Sequence, residues 1–315
     1  TIIPVYNRPD RLREAVASVL AQDYRPIEII IVDDGSTDGA TWPAAQALAA
    51  AHPGVIRAVT QLNAGPGAAR ERGRLLAQGE FIQYLDSDDL LLPGKFSTQV
   101  ASLRANPQTG IAYGLTLERH GTDVSHRKLL PVILADRIWH TITPLYRRSV
   151  TDAIGPWSPR RILEDWDYDF RAGLLGVELH YEPEPIAVHR FHGDEHAGLA
   201  WQNDPRAMRD RVQAYLDALA YGRKAGVPAE SLEIQHLVRS VFWMSRETGA
   251  RGYGHEARAL FSAARQAAAP GTRLGRSLRI YGVFARCVGW QAAGKVGVLL
   301  SDLKGSLQSP DDEVS

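Results

Sequence analysis

Two stretches of sequence decide the fold: Ile27-Glu28-Ile29-Ile30-Ile31-Val32-Asp33-Asp34-Gly35-Ser36-Thr37-Asp38 and Phe81-Ile82-Gln83-Tyr84-Leu85-Asp86-Ser87-Asp88-Asp89. In each, a largely apolar run leads directly into carboxylates. A continuous run of Ile and Val is typical of a strand buried on both faces of a parallel sheet. In an open α/β sheet, ligands bind outside the carboxyl ends of the strands. We therefore expect both acidic groups to face one crevice.

The sequence around these stretches alternates short strand patterns with helical patterns. Pro9 suits the first turn of a helix, and apolar residues then recur at helical spacing. This alternation predicts βαβ units and an α/β fold. After residue 204 the pattern is helical throughout. We predict an α/β domain over 1–204, a helical extension over 205–305 and an acidic, disordered tail over 306–315.

Composition limits the class of protein. The 315 residues are 44% hydrophobic and 23% charged, which is ordinary for a globular protein. The single cysteine, Cys287, excludes an internal disulfide and predicts a cytoplasmic location. No uninterrupted apolar stretch reaches the ~18 residues of a membrane span, and no signal peptide is visible. Thr1 lies inside an apolar run, so we expect a short segment to precede it.

The formal net charge of zero hides an asymmetry. Residues 1–204 carry 20 Lys and Arg against 26 Asp and Glu, whereas residues 205–305 carry 16 against 7. The two parts are expected to have different partners, although a solvated, Arg-rich helical face explains the basic part equally well.

The clustered carboxylates predict a metal site. Five carboxylates at one crevice repel one another unless a cation joins them, and a hard divalent ion with oxygen ligands is the usual solution. Mg²⁺ and Mn²⁺ sites are commonly completed by substrate phosphates, so a phosphorylated substrate is expected. The structural alternative is that the acidic residues of 34–38 stabilise a turn and those of 86–89 cap a helix.

Five blocks carry a family resemblance: Pro4-Val5-Tyr6-Asn7, Val32 to Asp38, Asn63-Ala64-Gly65, Gly79 to Asp89, and Glu164-Asp165-Trp166-Asp167. In order and spacing they resemble the signature blocks of family-2 inverting glycosyltransferases, across residues 1 to about 195. The resemblance implies the GT-A fold, a Rossmann-like mixed, mostly parallel sheet flanked by helices. It also implies a metal-dependent enzyme that moves a sugar from a nucleoside diphosphate.

The resemblance assigns roles residue by residue. Asp165 matches the catalytic base, Tyr6 the ring that stacks on the nucleotide base, and Asp34 a carboxylate that accepts a hydrogen bond from that base. The metal ligands are expected to be Asp88, Asp89 and His192. The implied nucleotide- and donor-binding residues are Pro4, Tyr6, Asp33, Asp34, Asn63, Gly65, Arg70, Asp86, Asp89 and Glu164.

Several of these assignments have structural alternatives. Tyr6 could be a core aromatic, and Glu164 with Asp165 could simply complement a helix dipole. Glu71 stands where the family usually has Asn, and this departure weakens the assignment of a nucleotide-binding role to Arg70. His192 could be an ordinary surface histidine, and Arg190 could pair with the diphosphate instead.

The sequence favours a UDP-sugar donor, Mn²⁺ or Mg²⁺, and a glycan or lipid-linked acceptor in bacterial surface-polysaccharide synthesis, with no nucleic-acid partner. A sugar-nucleotide pyrophosphorylase is the alternative enzyme, but no Gly-rich basic loop occurs in residues 1–10. The non-enzymatic alternative is a protein that binds a nucleotide-sugar without catalysing a reaction.

The basic segment 273–305 predicts a peripheral membrane contact. If it forms a single helix, Arg279, Arg286 and Lys304 lie on one face and Ile280, Phe284, Val288, Gln291 and Leu299 on the other. Four glycines in this segment lower helix propensity. The alternative is that the segment packs against the enzyme's own domain.

Overall fold

The computed structural model describes residues 1–117, 125–190 and 204–305. By its contacts the chain divides into two compact units, Thr1–Ala200 and Trp201–Ser315. The predicted disordered tail over 306–315 lies outside the described residues.

The first unit is a mixed α/β structure. Its strands are β1 (Ile2–Val5), β2 (Ile29–Asp33), β3 (Ile56–Thr60), β4 (Phe81–Gln83), β5 (Leu90–Leu91), β6 (Thr109–Thr116), β7 (Leu145–Arg147) and β8 (Glu178–Val188). Its helices are α1 (Pro9–Leu20), α2 (Thr41–Ala51), α3 (Pro66–Leu76), α4 (Lys95–Ala105), α5 (Arg148–Ile154) and α6 (Glu164–Leu174).

Two groups of strands are joined beside β1. Strands β1, β2 and β3 are parallel neighbours in that order. The other five are arranged β4-β7-β6-β8-β5, with β7 antiparallel to both β4 and β6. A parallel bridge between Ile2 and Tyr84 connects the groups. The carboxyl ends of β1, β2 and the 84–85 segment therefore lie on the same side, as predicted for the acidic stretches.

The core forms where the sequence pattern places it. Every residue of β1 and β2 is buried, and α1 contributes Leu12, Val16 and Val19 from one face. This confirms the interpretation of the Ile- and Val-rich run as a strand buried on both faces. The predicted sheet flanked by helices is confirmed as well.

A buried polar cluster holds the segment just before β7. The Nζ of Lys95 donates to the side chains of Gln83 and Gln99 and, at 3.0 Å, to the carbonyl of Thr143. Gln83 also donates to the carbonyl of Ile142 at 2.8 Å. Burial lowers the pKa of Lys95 well below its usual value. The hydrogen bonds from Gln83 to the carbonyl of Ile142 and from Lys95 to that of Thr143 hold residues 142–143 in place.

The second unit is helical: α7 (Pro205–Lys224), α8 (Leu232–Ala250), α9 (Gly254–Ala267), α10 (Arg273–Val288) and α11 (Trp290–Gly305). Asp204, Ser231 and Thr272 cap α7, α8 and α10 with their side chains. The segment 273–305 does not form a single helix, because Gly289, with φ of 86°, ends α10. Among the described residues, no helix is long and apolar enough to cross a membrane.

Candidate active site

The loops after β1 and β2 are tied together at the edge of the crevice. Tyr6 follows β1 directly and is 44% exposed, so the alternative of a core aromatic is wrong. Asn7 has φ of 53°, a left-handed conformation that Asn tolerates. Its Oδ1 accepts from the backbone N–H of Thr37 at 2.7 Å, and its own N–H donates to Ser36 Oγ at 2.9 Å. Pro4 is buried inside β1.

Asp34 organises the loop that precedes α3. Its Oδ1 accepts from Gln61 Nε2 at 2.8 Å and from the N–H of Ala64 at 2.9 Å. Its Oδ2 accepts from the N–H of Gly65 at 2.8 Å. A carboxylate offers about four acceptor positions. Asp34 therefore braces this loop and retains capacity for one further donor.

Asp33 and Asn63 also take part in this loop. Asp33 is 1% exposed, and its Oδ2 accepts from Thr60 Oγ1 at 2.8 Å. Asn63 Nδ2 donates to the carbonyl of Asp34 at 3.0 Å, while its Oδ1 accepts from Arg161 Nη1 at 3.2 Å. The carboxylate of Asp33 thus points into the protein, whereas Asn63 links the loop to the segment before α6.

Glycine permits the start of α3 to lie against the segment before α6. A Cβ on Gly67 would lie 2.2 Å from the carbonyl oxygen of Ser158 and 3.2 Å from Cγ of Glu164. No real Cβ tolerates the first of these distances, so a side chain here would push the two segments apart. The close approach brings Arg70, one turn further along α3, to Glu164.

Arg70 joins the two acidic parts of the site. It is 4% exposed, and its Nη2 lies 2.6 Å from Asp86 Oδ1 while its Nη1 lies 2.6 Å from Glu164 Oε1. Its guanidinium also lies 4.9 Å from the centroid of the Trp157 ring. Burial alone would lower the pKa of Arg70, but the charges of Asp86 and Glu164 raise it above its usual value. Arg70 therefore stays charged and bridges the turn after β4 to helix α6.

The acidic group after β4 lies in a turn. Helix α4 begins at Lys95 after Gly94, so the alternative in which Asp86, Asp88 and Asp89 cap that helix is wrong. Asp88 forms an ion pair with Arg8, and Asp89 accepts from the N–H of Arg190 at 2.9 Å.

Asp89 is 3% exposed, and its burial together with the charge of Asp86 raises its pKa to about 8. Negative charge on this turn is therefore only partly compensated by the protein.

The described residues alone do not complete a metal site here. No group of three or more His, Cys, Asp or Glu side chains that could hold a metal occurs within residues 1–117, 125–190 and 204–305. His192 lies outside the described residues. Arg190 pairs with Glu14 and donates to the carbonyl of Asp88. The carboxylates of Asp88 and Asp89 remain as the candidate oxygen ligands, a number that suits a cation completed by phosphate and water.

Glu164 and Asp165 are the first two residues of α6, as the dipole argument predicts. They differ in environment. The side chain of Glu164 is 8% exposed and pairs with Arg70, whereas that of Asp165 is 20% exposed. Burial and the charge of Asp165 raise the pKa of Glu164. Burial would raise the pKa of Asp165 too, but the charges of Arg137 and Arg70 hold it below its usual value. Asp165 is therefore the carboxylate that stays ionised and reaches the surface.

Three polar groups orient Asp165. Arg137 Nη1 lies 2.7 Å from Oδ2, Thr141 Oγ1 donates to the same oxygen at 3.3 Å, and the N–H of Trp166 donates to Oδ1 at 2.8 Å. Arg137 also lies 3.6 Å from Asp169 through its Nη2. Leu163, immediately before the helix, has φ of 57°, a strained conformation for a non-glycine residue. The backbone thus turns sharply just where the two carboxylates are presented.

Sequence reasoning missed Arg8, Arg137 and Thr141. All three contact acidic residues that the sequence did identify, yet they lie far from those acids along the chain. Arg137 and Thr141 fall in the stretch over 119–140 and just beyond it, where no periodic pattern marks an element. A search for cations to balance the acidic groups would have indicated the two arginines, but it would not have indicated Thr141.

Solved structures share this fold. TarS 1–349 of S. aureus, in complex with UDP-GlcNAc, superposes with a TM-score of 0.59 at 17% identity, over 88% of this chain and 90% of that one. The mannosyltransferase PcManGT of Pyrobaculum calidifontis, in complex with GDP-Man and Mn²⁺, gives a TM-score of 0.57 at 20% identity, over 95% and 86%. The GT-A fold predicted from the sequence is confirmed.

Curated relatives match over part of their length. An uncharacterized glycosyltransferase of a Nostoc species is 31% identical over 208 residues, which are 61% of this chain and 64% of that protein. Another, from Rickettsia conorii, is 35% identical over 209 residues, covering 62% and 34%. The chain spans between 21% and 64% of the length of the relatives compared.

A family model described as glycosyl transferase family 2 matches residues 1–162, which include the acidic turns after β2 and β4 and all of α3. This match covers about half of the chain and contains Arg70, the residue that joins the acidic turn to α6. The chain belongs to glycosyl transferase family 2.

Proposed function

We propose that this protein transfers a sugar from a nucleoside-diphosphate sugar to an acceptor hydroxyl, with inversion at the anomeric carbon. The observation that carries the proposal is the bridge through Arg70. One guanidinium lies 2.6 Å from both Asp86 and Glu164, so the acidic turn and the N-terminus of α6 belong to one site. A diphosphate at the turn and an acceptor at α6 would meet within that site.

The donor is proposed to bind along the loops after β1, β2 and β3. Tyr6 offers an exposed ring for stacking on a base, a contact worth ~1–3 kcal/mol in single-stranded nucleic-acid complexes. Asp34 retains one acceptor position for a donor group of the base. Gly65 and Asn63 shape the same loop. A UDP-sugar is our favoured donor, and the complex of TarS with UDP-GlcNAc supports that choice.

A divalent cation, Mn²⁺ or Mg²⁺, is proposed at Asp88 and Asp89. Two carboxylates with diphosphate oxygens and water meet the preference of these ions for oxygen ligands, and the Mn²⁺ in the PcManGT complex supports the choice. The ion would neutralise charge on the departing nucleoside diphosphate. Asp86 and Arg70 are proposed to hold the turn in position, and His192 remains a third candidate ligand.

Asp165 is proposed as the base. It would take the proton from the acceptor hydroxyl as the oxygen attacks the anomeric carbon, which typically contributes ~10²–10⁴-fold. Its pKa is held low, so it is ionised at neutral pH. Position then matters more than basicity, and Arg137, Thr141 and the N–H of Trp166 fix that position. Glu164, buried against Arg70, is assigned a positioning role.

We further propose a cytoplasmic location and a glycan or lipid-linked acceptor in bacterial surface-polysaccharide synthesis. The single exposed cysteine suits a reducing compartment. No nucleic-acid partner is proposed, because the crevice is acidic and the formal net charge is zero.

The experiment is a panel of UDP- and GDP-sugars with Mn²⁺, read by thermal shift and by slow donor hydrolysis. We expect one donor to raise the melting temperature and to release its nucleoside diphosphate. With an acceptor, NMR of the glycoside should give the anomeric configuration opposite to that of the donor. Retention would contradict the mechanism. Binding without hydrolysis or transfer would indicate a non-catalytic binding protein, and formation of the nucleotide-sugar from a nucleoside triphosphate would indicate a pyrophosphorylase.

A further inference from the structure

Helices α10 and α11 present small residues to their own unit. Apart from Leu278, the buried positions described for these helices are glycine and alanine: Gly282, Ala285, Ala293, Gly294 and Gly297. A Cβ on Gly282 would lie 2.6 Å from Cζ of Phe261, and one on Gly294 would lie 2.4 Å from the backbone nitrogen of Ala250. These glycines therefore allow the helices to pack closely, although glycine has a lower helix propensity than other residues.

Leu278 is buried and Tyr281 and Trp290 pack against Phe261, but most of the other large apolar residues of these helices point away from the unit. Ile280 is 73% exposed and Leu299 is 59% exposed. The remaining exposed apolar side chains of the pair are Val283, Phe284, Val288, Val296 and Leu300. This arrangement reverses the usual one, in which the large apolar side chains of a surface helix face the core. Exposed apolar side chains that share one face of a helix in this way indicate an interaction site.

Charge indicates what would cover this surface. Exposed basic side chains are interleaved with the apolar ones: Arg273, Arg276, Arg279, Arg286 and Lys295. No acidic residue occurs between Arg273 and Leu300. At 100° per residue, Arg279 and Arg286 lie on one flank of the Ile280–Phe284 stripe, and Arg273 and Arg276 extend the stripe at its N-terminal end. Apolar residues bordered only by cations suit an anionic lipid surface.

We propose that the outer face of α10, formed by Arg279, Ile280, Val283, Phe284, Arg286 and Val288, binds an anionic lipid membrane peripherally, with α11 adding Lys295, Val296 and Leu299. The apolar side chains would enter the boundary between headgroups and acyl chains, while the guanidinium groups contact lipid phosphates. This face shares no residue with the candidate active site, so lipid binding and glycosyl transfer can be tested separately.

The test is sedimentation of the full chain with vesicles of phosphatidylcholine alone and of phosphatidylcholine mixed equally with phosphatidylglycerol. We expect binding to the mixed vesicles, with a partition coefficient that falls as salt rises. The double variants Ile280→Ser/Phe284→Ser and Arg279→Gln/Arg286→Gln should each lower it by about tenfold or more. Matched controls in the same unit are Leu232→Ser, at a side chain 83% exposed on α8, and Arg223→Gln/Lys224→Gln on α7.

Circular dichroism and donor hydrolysis check that each variant is folded. If the face variants sediment like the wild type, or if neutral and mixed vesicles bind equally, the proposal is overturned. It is overturned as well if light scattering shows a dimer that the apolar variant dissociates, because a second copy of the chain then covers the face.

Discussion

Arg70 and Glu164 form a buried ion pair in which Nη1 and Oε1 lie 2.6 Å apart. The same guanidinium holds Asp86 through Nη2, also at 2.6 Å. One side chain on α3 thereby fixes the distance between the acidic turn after β4 and the start of α6. In the proposed reaction these are the positions of the leaving diphosphate and of the base.

Removing Arg70 should therefore lower the stability of the fold. Arg70→Met leaves Glu164 buried without a cation, and breaking a buried pair in this way costs ~3–5 kcal/mol. Urea denaturation should report this loss in the free energy of unfolding. Arg104→Met is the control at an exposed pair. Arg104 and its partner Glu80 are 57% and 58% exposed, so only a small loss is expected. Equal losses in the two variants would show that Arg70 is not a special bridge.

Asp165→Asn should lower transfer without lowering donor affinity. Asparagine has nearly the shape of aspartate but does not accept the acceptor's proton, so we expect a loss of ~10²-fold or more in kcat. Isothermal calorimetry with the nucleoside diphosphate checks donor binding, and initial rates check transfer. Asp152→Asn, at an exposed carboxylate on α5, is the control and should leave both unchanged. Full activity in Asp165→Asn would show that Asp165 is not the catalytic base.

Arg137 should set the pH dependence of the reaction. Its charge is the leading influence that lowers the pKa of Asp165, opposing the effect of burial. Arg137→Gln should raise that pKa. Because the base acts only when deprotonated, the acid limb of the kcat/KM profile should move to higher pH. Arg127→Gln, at a side chain 82% exposed, should leave the profile in place. An unshifted limb in Arg137→Gln, with kcat reduced at every pH alike, would assign Arg137 to packing alone.

Asp88→Asn should remove the metal dependence of nucleotide binding. The wild type is expected to gain thermal stability from UDP with Mn²⁺ and to lose that gain in EDTA. The variant should melt at the same temperature with and without the ion, because one of the two proposed carboxylate ligands has lost its charge. Asp10→Asn, at a carboxylate 88% exposed on α1, should respond like the wild type. Donor affinity and turnover that are unchanged by EDTA in the wild type would contradict the metal site.

The order of the elements and the acidic residues could be read from the sequence. Strand β2 is a run of Ile and Val buried throughout, and carboxylates follow it directly, so both burial and the crevice were predictable from local pattern. The placement of Glu164 and Asp165 at a helix N-terminus was predictable for the same reason, since acidic residues favour that position.

The extent of the C-terminal helices was not fully predictable. The pattern of 273–305 is compatible with one helix, and the glycines within it signal only lower propensity. In the structure, Gly289 ends α10, whereas Gly282, Gly294 and Gly297 continue their helices and meet other side chains or backbone at short distance. Whether a glycine ends a helix or lets it pack closely depends on which atoms of neighbouring helices face the glycine. These neighbours are decided by the tertiary structure.

The sequence by itself determined the α/β class, the acidic turns and the position of Glu164 and Asp165 at a helix N-terminus, because strand burial, turn chemistry and helix dipoles act within a few residues of the chain. Tertiary structure decided which cation meets which carboxylate. Arg8 pairs with Asp88, Arg70 joins Asp86 to Glu164, and Arg137 orients Asp165. These pairs separate the roles of two adjacent acids, leaving Glu164 buried and Asp165 accessible. Charge interactions act through space over a few ångströms, so residues far apart along the chain set them, and no local pattern encodes the pairing.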